Sequence, residues 1–365
     1  MTDKKDIKVF DDTSKMTYTL LDEKSRVDDL ETKLKTLYQT PHSDMVYLNM
    51  YDHSISQENC RKLFIYEDNA LKQLLLFKYE GNESSVTILN TSFTISSLEI
   101  KYISNVIFYE FSTVGKVIFQ TLFLDCTGKI EMTVYEKTLY DAIMDLPASM
   151  DVYMKSLGTQ TRKHVKYYQN RIQKDFPGFN ISFQEGEDIK SGQIARIVDM
   201  NRDRMKSKGK KSGIDEIQQE YIYQYAQING MLCLCTVDEE IIGGTINTII
   251  GEHAYLHVIA HDNQYNKYNT GQVALVNTVQ YLIGKNVKHF HLFWGEYDYK
   301  YRFLCKNHDL YDITVYRKKG AYMIGKTSIG IRVFGKSLKS SVRKRLENNK
   351  TLKKVYRKAC KLFIK

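Results

Sequence analysis

The sequence predicts an α+β fold in which a mixed, mainly antiparallel sheet is flanked by helices. Three apolar segments, 231–237, 241–250 and 254–260, are joined by links of three residues, and links that short connect only antiparallel strands. Segments with apolar residues at helical spacing lie before and after them, at 194–206 and 272–284. Strand-forming and helix-forming segments thus occur in one chain, which predicts the α+β class.

Residues 1–150 are predicted to form a strand-rich lobe after one helix. The helix, 27–38, has apolar residues at Val27, Leu30, Leu34 and Leu37. Turn signals such as Glu80-Gly81-Asn82 separate several short β-like segments after it. The predicted strands are 45–50, 63–66, 71–79, 86–89, 106–111 and 117–124. The sequence of this lobe contains no phosphate-binding loop, nucleophile elbow or metal cluster.

Residues 151–331 are predicted to form a second lobe that carries the chemistry. It begins with a basic helix around 161–172, a short strand at 180–184 and helices at 194–206 and 214–228. The antiparallel meander follows, and its Gly243-Gly244 pair predicts a bulge or a close backbone approach. A polar loop, 261–269, then leads through Gly271 into the helix 272–284 and a last strand, 289–293.

Length and composition fit two lobes of about 150 residues each. No apolar run reaches the roughly 18 residues of a membrane span. Residues 1–12 are charged, unlike a secretory signal, so we expect a cytoplasmic protein. None of the six cysteines forms a Cys-x-x-Cys pair and no Cys/His cluster has metal-ligand spacing, so reduced packing cysteines and no metal site are expected.

The positive charge is concentrated in a C-terminal tail. Residues 332–365 contain thirteen Lys and Arg against one acid, a charge of +12 that leaves −2 for residues 1–331 of the net +10. Apolar residues recur there every three or four positions, which predicts basic amphipathic helices. We expect this tail to hold the protein on the anionic inner face of a membrane, with docking onto the body of the protein as the alternative.

The order of strands, polar loop, glycine, helix and final strand resembles the core of the GCN5-related N-acetyltransferase (GNAT) superfamily. The resemblance implies that the loop and the start of the helix hold acetyl-CoA or another acyl-CoA, with Gly271 allowing close approach to the diphosphate. The implied cofactor-binding residues are Tyr268, Asn269, Thr270, Gly271 and Gln272. The usual Q/R-x-x-G-x-G/A loop pattern of the superfamily is absent from this stretch.

Three segments are similar to a subgroup of acetyltransferases of cellulose and exopolysaccharide biosynthesis, which is related to the peptidoglycan-bridge aminoacyl transferases. The first runs from Leu157 to Val165, the second from Tyr268 to Leu275, and the third from Phe290 to Arg302. The subgroup often has a degenerate GNAT-like lobe before the active one, which residues 1–150 would supply. The basic tail, 332–365, is an addition to those two lobes.

Acyl transfer from a thioester needs a base for the amine and an acid for the leaving thiolate. His291 stands where the subgroup has aspartate, and it is either the base or a polar core residue. Glu296 is a second candidate base or a surface carboxylate. Tyr299 either protonates the leaving sulfur or packs in the core.

Three cations are candidates for substrate binding. Lys300 matches the lysine of the subgroup, whose charge either binds an anionic acceptor or structures its loop. Arg162 and Lys163 at the start of the basic helix either hold an anionic substrate group or form a solvated helix face.

Together these residues predict an acyl-CoA-dependent N-acyltransferase, transferring acetyl in the simplest case to an amino sugar or similar amine of a surface polysaccharide precursor. The acceptor is then a small molecule or a lipid-linked glycan, and nucleic acid is not expected as a partner. The alternative keeps the fold and takes aminoacyl-tRNA as donor, so that the tail meets tRNA phosphates. A third reading is a catalytically silent scaffold at the membrane.

Overall fold

The computed structural model describes residues 16–79, 81, 84–125, 128–207, 209–295, 297–328 and 330. The tail at 332–365 and the candidate base Glu296 lie outside the described residues. Within the described part, no helix is long and apolar enough to span a bilayer.

Ten α-helical segments are described, and nine of them are labelled. Their bounds are α1 Leu30–Tyr38, α2 Met45–Tyr51, α3 Ser97–Glu110, α4 Met150–Ser156, α5 Thr159–Asp175, α6 Ser191–Ser207, α7 Glu216–Asn229, α8 Thr270–Gly284 and α9 Asp298–Arg302. Residues 319–328 are also helical. Short 3₁₀ segments lie at Pro41–Ser43, Gly186–Asp188 and Asn263–Tyr268.

Thirteen β-strands are described. Their bounds are β1 Met16–Leu21, β2 Arg61–Glu67, β3 Ala70–Phe77, β4 Ser85–Thr87, β5 Thr94–Ser96, β6 Lys116–Asp125, β7 Thr133–Asp145, β8 Phe179–Glu185, β9 Gly230–Val237, β10 Glu240–Ile250, β11 His253–His261, β12 His289–His291 and β13 Lys306–Tyr316.

One large sheet joins strands from residues 1–150 and 151–331. Its order is β4-β6-β13-β7-β12-β11-β10-β9-β8, with β5 paired to β6, and a separate sheet has the order β1-β2-β3. Most described pairs are antiparallel, and the parallel ones are β4–β6, β5–β6 and β11–β12. Helices pack on this sheet, so the predicted α+β class with a mixed, mainly antiparallel sheet is confirmed.

Strands β11 and β12 separate after three residue pairs. The parallel ladder ends at Tyr255 and His291, whereas β11 continues to His261. Beyond β12 the chain stays with β7, because Leu292 N donates to Ala142 O at 2.9 Å and Ala142 N donates to Phe293 O at 3.2 Å. The two strands therefore form a V that opens toward the start of α8.

Apolar residues on the two faces of β11 hold this V in place. Ala254 and Leu256 are buried under α8, against Leu275 and Val279. On the opposite face Val258 and Ala260 pack with residues of α6. Since each buried aliphatic side chain contributes about 1.5–3 kcal/mol, the strand is fixed from both sides while its unpaired edge stays open.

Two predicted strands are helices in the structure. Segment 45–50 lies in α2, which begins because the Asp44 carboxylate accepts from Val46 N at 2.9 Å. Segment 106–111 is the end of α3, which has a capping box between Ser96 and Glu99. β-branched and aromatic residues in both segments suggested strands, but the caps and tertiary burial favour helices.

The predicted helices and strands of the second lobe all appear, with ends shifted by a few residues. For Gly243-Gly244 a bulge or a close backbone approach was predicted. The register of β10 on β9 shifts one residue before the pair, between Ile241 and Gly243, and Gly244 closely approaches Cys233 O. Strands β7 and β13 and helix α9 were not predicted. β13 lies in the sheet between β6 and β7, so its partners are far away in sequence.

Candidate active site

An open cleft lies where β11 and β12 separate, and we call it the α8 cleft. Its volume is about 380 Å³. Strand β11, the first turn of α8, the segment around α9 and the end of α6 surround it. The lining residues are Arg204, Ile259, His261, Asn269, Gly271, Gln272, Leu275, Tyr297, Asp298, Tyr299 and Arg302.

Helix α8 begins at this cleft because of the conformation of Asn269. That residue adopts a left-handed backbone with φ 51°, which Asn tolerates better than most residues. Its carbonyl accepts from Gln272 N at 2.8 Å and from Val273 N at 3.2 Å. The N–H groups that precede them, in the first turn, have no carbonyl within the helix to bond. The cleft therefore meets free amides and the positive end of a helix dipole.

Two glycines let the start of α8 sit where it does. A Cβ on Gly243 in β10 would lie 3.2 Å from Thr270 Oγ1, so the glycine allows the first turn to pack against the sheet. A Cβ on Gly271 would lie 3.1 Å from His261 Nδ1, on the cleft side of the helix. A side chain at either position would crowd the amide groups that face the cleft.

Two guanidinium groups add positive charge to the α8 cleft. Arg204, near the end of α6, and Arg302, at the end of α9, both line it. The Nε atom of Arg204 is buried and has no hydrogen-bond partner among the residues that the structure describes. Helix amides and two arginines around one cleft suit an anionic ligand with several oxygens, such as a diphosphate.

The structure brings most of the predicted cofactor-binding residues to this cleft. Asn269, Gly271 and Gln272 line it, whereas Thr270 is fully buried beneath them. Tyr268 is 2% exposed and belongs to the core, where its hydroxyl donates to Asp175 Oδ2 at 2.8 Å. Tyr268 therefore supports the loop and does not face the cleft.

Tyr299 and Lys300 lie next to each other in α9 but point to different surroundings. Tyr299 lines the α8 cleft, and burial raises the pKa of its phenol to about 12. Lys300 is buried, and its ammonium donates to the carbonyls of residues 292, 293 and 294 at 2.8–2.9 Å. An ammonium has three N–H donors, so none is left for an anionic acceptor. Lys300 fixes the loop after β12, and the acceptor-binding role predicted for it has no support in this geometry.

Arg162 and Lys163 lie in the first turn of α5. The guanidinium of Arg162 is 3.4 Å from Leu157 O, which precedes the helix. Neither residue is among those that line the described cavities. Their predicted role in substrate binding stays a prediction.

His291 lies on the other side of the strand pair, in a chain of three side chains. Its Nδ1 is 2.6 Å from Asp141 Oδ2, and its Nε2 is 2.9 Å from His253 Nδ1. Asp141 and His291 are 4% and 3% exposed. His291 is thus a buried polar residue that connects a carboxylate in β7 to a second histidine in β11, and it does not line the α8 cleft.

A bulge in β11 lies at the apex of the V. Ile246 pairs with Val258 and Asn247 with Leu256, which leaves His257 without a partner on β10. Its ring Nε2 is 3.1 Å from Thr248 Oγ1, and burial lowers the pKa of His257 to about 3. Past Tyr255, β12 supplies no partner to the other edge of β11 either, so unpaired backbone groups are available at this point.

Sequence reasoning missed several residues of these sites. Arg204 and Arg302 meet only in the folded chain, and the sequence contains no spacing that would pair them. Asp141 lies in β7, a strand that was not predicted, and His253 was read as part of a turn. For His291 a signal existed, because it stands in the predicted strand 289–293 and histidine is less often fully buried than an aliphatic residue.

The comparisons agree with this geometry. Residues 159–301 match the family described as "Acetyltransferase (GNAT) domain". The crystal structure of FemX has a TM-score of 0.58 at 10% identity, covering 82% of this chain and 98% of its own. A conserved protein of unknown function from Bacteroides thetaiotaomicron VPI-5482 has a TM-score of 0.53 at 10% identity, covering 80% and 98%. Such low identities show the fold alone, and no curated protein matches significantly.

Proposed function

We propose that the GNAT-type acyltransferase domain of this chain transfers an acyl group from acyl-CoA to the amine of an amino sugar or similar acceptor in surface polysaccharide biosynthesis. One observation carries the donor part of this proposal. The first turn of α8 presents free amides to a cleft that also contains Arg204 and Arg302. The diphosphate of CoA has the charge and the oxygens that such a cleft would bind.

The V between β11 and β12 would take the rest of the donor. From the start of α8 the cleft follows the unpaired edge of β11, past Ile259, toward the bulge at His257. A thioester carbonyl placed at the apex would accept hydrogen bonds from backbone N–H groups of β11 that pair with no neighbouring strand. Such donors stabilise the oxyanion that forms when the amine attacks.

The reaction would be a direct attack in a ternary complex. The amine nitrogen forms a bond to the carbonyl carbon, the carbon–sulfur bond breaks, the amine loses a proton and the thiolate gains one. Tyr299 lines the cleft, and because its pKa is raised to about 12 its phenol keeps a proton at neutral pH and can donate it. For the base, Glu296 stays a prediction from sequence.

Acetyl-CoA titration by isothermal calorimetry tests the donor. We expect 1:1 binding of acetyl-CoA and of CoA. Pantetheine should bind more weakly, since it lacks the diphosphate. The matched variant pair is Gly271→Asp, in the first turn of α8, and Gly192→Asp, in the first turn of α6, where a Cβ meets nothing within 4 Å. Only Gly271→Asp should abolish binding.

Two results would contradict the proposal. Wild-type protein that neither binds acetyl-CoA nor contains a CoA thioester by native mass spectrometry has no such donor. If RNA copurifies instead and salt releases it steeply, the donor is an aminoacyl-tRNA, which is the alternative that the same fold allows.

We also propose that residues 332–365 hold the enzyme on the inner face of the membrane, where lipid-linked glycans are assembled. The support is the charge of +12 in that segment and its amphipathic spacing. At about 1 kcal/mol for each basic residue near an anionic leaflet, a few contacts suffice. Flotation with vesicles containing anionic lipid tests this: wild type should float, and a variant that lacks residues 337–365 should not. Equal flotation of both would remove this part of the proposal.

A further inference from the structure

A second cavity lies on the side of the β11–β12 pair that faces residues 1–150, and we call it the histidine cavity. Its volume is about 410 Å³, within the range of small-molecule sites. Helix α1, strand β3 and the ends of β7, β11 and β12 surround it. Four phenyl or phenol rings line it, those of Tyr38, Phe93, Phe123 and Tyr255. Polar groups in the lining include Gln73, His253, Lys72 and Asp145.

For two neutral rings, the hydrogen bonds behind this cavity couple the proton positions of His253 and His291. An ionised Asp141 only accepts, so His291 Nδ1 must donate the proton in their 2.6 Å contact. In a neutral ring the Nε2 of His291 then carries a lone pair and accepts from His253 Nδ1, at 2.9 Å. The remaining ring nitrogen, His253 Nε2, is therefore an acceptor.

The hydrogen-bonded series from Asp141 through His291 ends at the cavity, because His253 lines the cavity and is only partly buried. Burial lowers the pKa of His253 to about 4. The ring is thus neutral at pH 7, which the tautomer argument requires. A group in the cavity that donates an N–H or O–H would find a lone pair there.

A purely structural role does not account for Asp141, the buried end of this hydrogen-bonded series. Asp141 is 4% exposed, and its Oδ1 has no hydrogen-bond partner within the described residues. Burying a carboxylate with one unsatisfied oxygen costs more than packing an apolar residue of similar volume. The carboxylate does, however, strengthen His253 Nε2 as an acceptor when that atom binds a proton donor, because it stabilises positive charge through His291.

We propose that the histidine cavity is a second ligand site that binds a hexosamine-like ring. The ring packs against the aromatic side chains, and one of its hydroxyl or ammonium groups donates to His253 Nε2. His253 precedes His257 by four residues in one strand, which corresponds to roughly 13 Å. The bound ring is therefore remote from the apex of the V, and the site recognises a part of the acceptor other than the reacting amine. The inference adds to the proposed function but does not need the donor, since ligand binding is measured without acyl-CoA.

The first test addresses the tautomer in the wild-type protein and needs no ligand. Long-range ¹H–¹⁵N NMR of histidine-labelled protein at pH 7 should show His253 with a proton on Nδ1 and none on Nε2. It should also show His291 with its proton on Nδ1. A proton on His253 Nε2 at pH 7, in either a neutral or a cationic ring, would overturn the proposal.

The second test is an NMR titration with D-glucosamine, and with D-glucose to separate the two kinds of donor. Binding of both sugars assigns the contact with His253 to a hydroxyl. Binding of glucosamine alone shows that the ammonium is needed, and Asp145→Asn then separates its contact with that carboxylate from a contact with His253. The Nε2 resonance of His253 should move on saturation in either case. Saturating glucosamine and glucose that both leave the His253 resonances unchanged would refute the site.

Variants separate the contact from the fold. His253→Phe keeps an aromatic ring and removes the acceptor, and it should weaken glucosamine binding at least tenfold. His164→Gln is the matched control and should bind as wild type does, because His164 is a half-buried histidine of α5 that contacts Gln160 and lines neither site. Acetyl-CoA affinity should be unchanged in both. If His253→Phe binds glucosamine as tightly as wild type while its melting temperature is unchanged, the acceptor role of His253 is wrong.

Discussion

The α8 cleft and the histidine cavity flank the same two strands but are built from different groups. Backbone amides of α8 and two arginines provide the polarity of the first. Side chains of β7, β11 and β12 provide that of the second, and they connect to a buried carboxylate. The first site presents two guanidinium groups beside helix amides, whereas the second depends on a hydrogen-bond chain and has Lys72 and Asp145 in its lining.

This difference explains which site a motif can predict. Every residue except proline has a backbone N–H group. The α8 cleft therefore keeps its donors although the loop from Tyr268 to Gln272 lacks the usual sequence pattern. The cleft does require space around the first turn of α8, and Gly243 and Gly271 leave that space because they have no side chains. The histidine cavity depends on the identity of individual side chains, so one substitution should alter it.

Acid should lower the stability of the folded chain through its buried histidines. Burial lowers the pKa of His42 and His253 to about 4 and of His257 to about 3, against an ordinary value near 6.5. The unfolded chain therefore binds more protons than the folded one between about pH 6.5 and 4, and stability falls as the pH falls through that window. Glu31, whose pKa is raised to about 8, acts in the opposite sense but is one group against three.

We expect a loss of several kcal/mol in the free energy of unfolding between pH 7 and 4, at about 1.4 kcal/mol for each unit of pKa shift. Urea unfolding at stepped pH measures it. His253→Gln should flatten the curve, and His164→Gln should not. A flat curve for wild type would mean that these histidines are not buried in the neutral form.

Gly271→Asp should have the largest effect on the α8 cleft. A carboxylate placed where the diphosphate binds repels it by about 4 kcal/mol at 4 Å for an effective dielectric constant of 20. We expect at least a 100-fold loss of acetyl-CoA affinity by calorimetry, with the pH dependence of stability unchanged. An affinity within threefold of wild type would place the donor elsewhere.

Asp141→Asn should act only on the histidine side. The amide keeps the size of the side chain but gives His291 a different hydrogen-bonding partner, which changes the tautomers along the chain. The cost should be about 1–3 kcal/mol of stability, the range for a disturbed buried hydrogen bond. Urea unfolding measures it, and acetyl-CoA affinity serves as the internal control. A parallel loss of acetyl-CoA affinity would show that the two sites are coupled.

Arg204→Gln and Arg302→Gln should each weaken acetyl-CoA binding by about tenfold, since a charge-assisted hydrogen bond contributes about 1.5–3 kcal/mol. Arg202→Gln is the matched control, because Arg202 lies on the same helix and pairs with Asp199 at 2.8 Å. Calorimetry at two salt concentrations should show a shallower salt dependence in the first two variants alone. Equal affinity of all three variants would remove the arginines from the site.

Gly243→Ala should have the smallest effect. The new methyl group would lie 3.2 Å from Thr270 Oγ1, so the start of α8 must shift by a few tenths of an ångström. We expect roughly a threefold loss of acetyl-CoA affinity and a melting temperature close to that of wild type. Gly244→Ala is the contrast, because its methyl group would lie 2.5 Å from Cys233 O and should lower the melting temperature instead.

The sequence predicted the parts of the fold that depend on local pattern. The meander from β9 to β11 and helix α8 follow from short links, alternation and a glycine, and they place Gly271 and Gln272 correctly at the cleft. Helix α2 and the end of α3 were predicted as strands, because the helix caps are weak signals beside β-branched residues. Strand β13 could not be placed, since its partners lie about 160–200 residues earlier in the chain.

Side-chain roles were harder to predict than elements. Lys300 matched a motif as a charged residue, but whether an ammonium faces a substrate or three carbonyls depends on how the loop after β12 folds. His291 was weighed as a base or as a core residue, and only the contact with Asp141 shows what it joins. Both depend on contacts between segments distant in sequence, which periodicity does not contain.

The position of β13 has a consequence for how this protein is made. Strands β6 and β7 have no shared neighbour until residues 306–316 insert between them, although both have left the ribosome long before. During synthesis the nascent chain thus exposes two unpaired strand edges, which favours association with other chains. A cell that produces this enzyme has reason to keep a chaperone on the nascent chain until translation has passed residue 316.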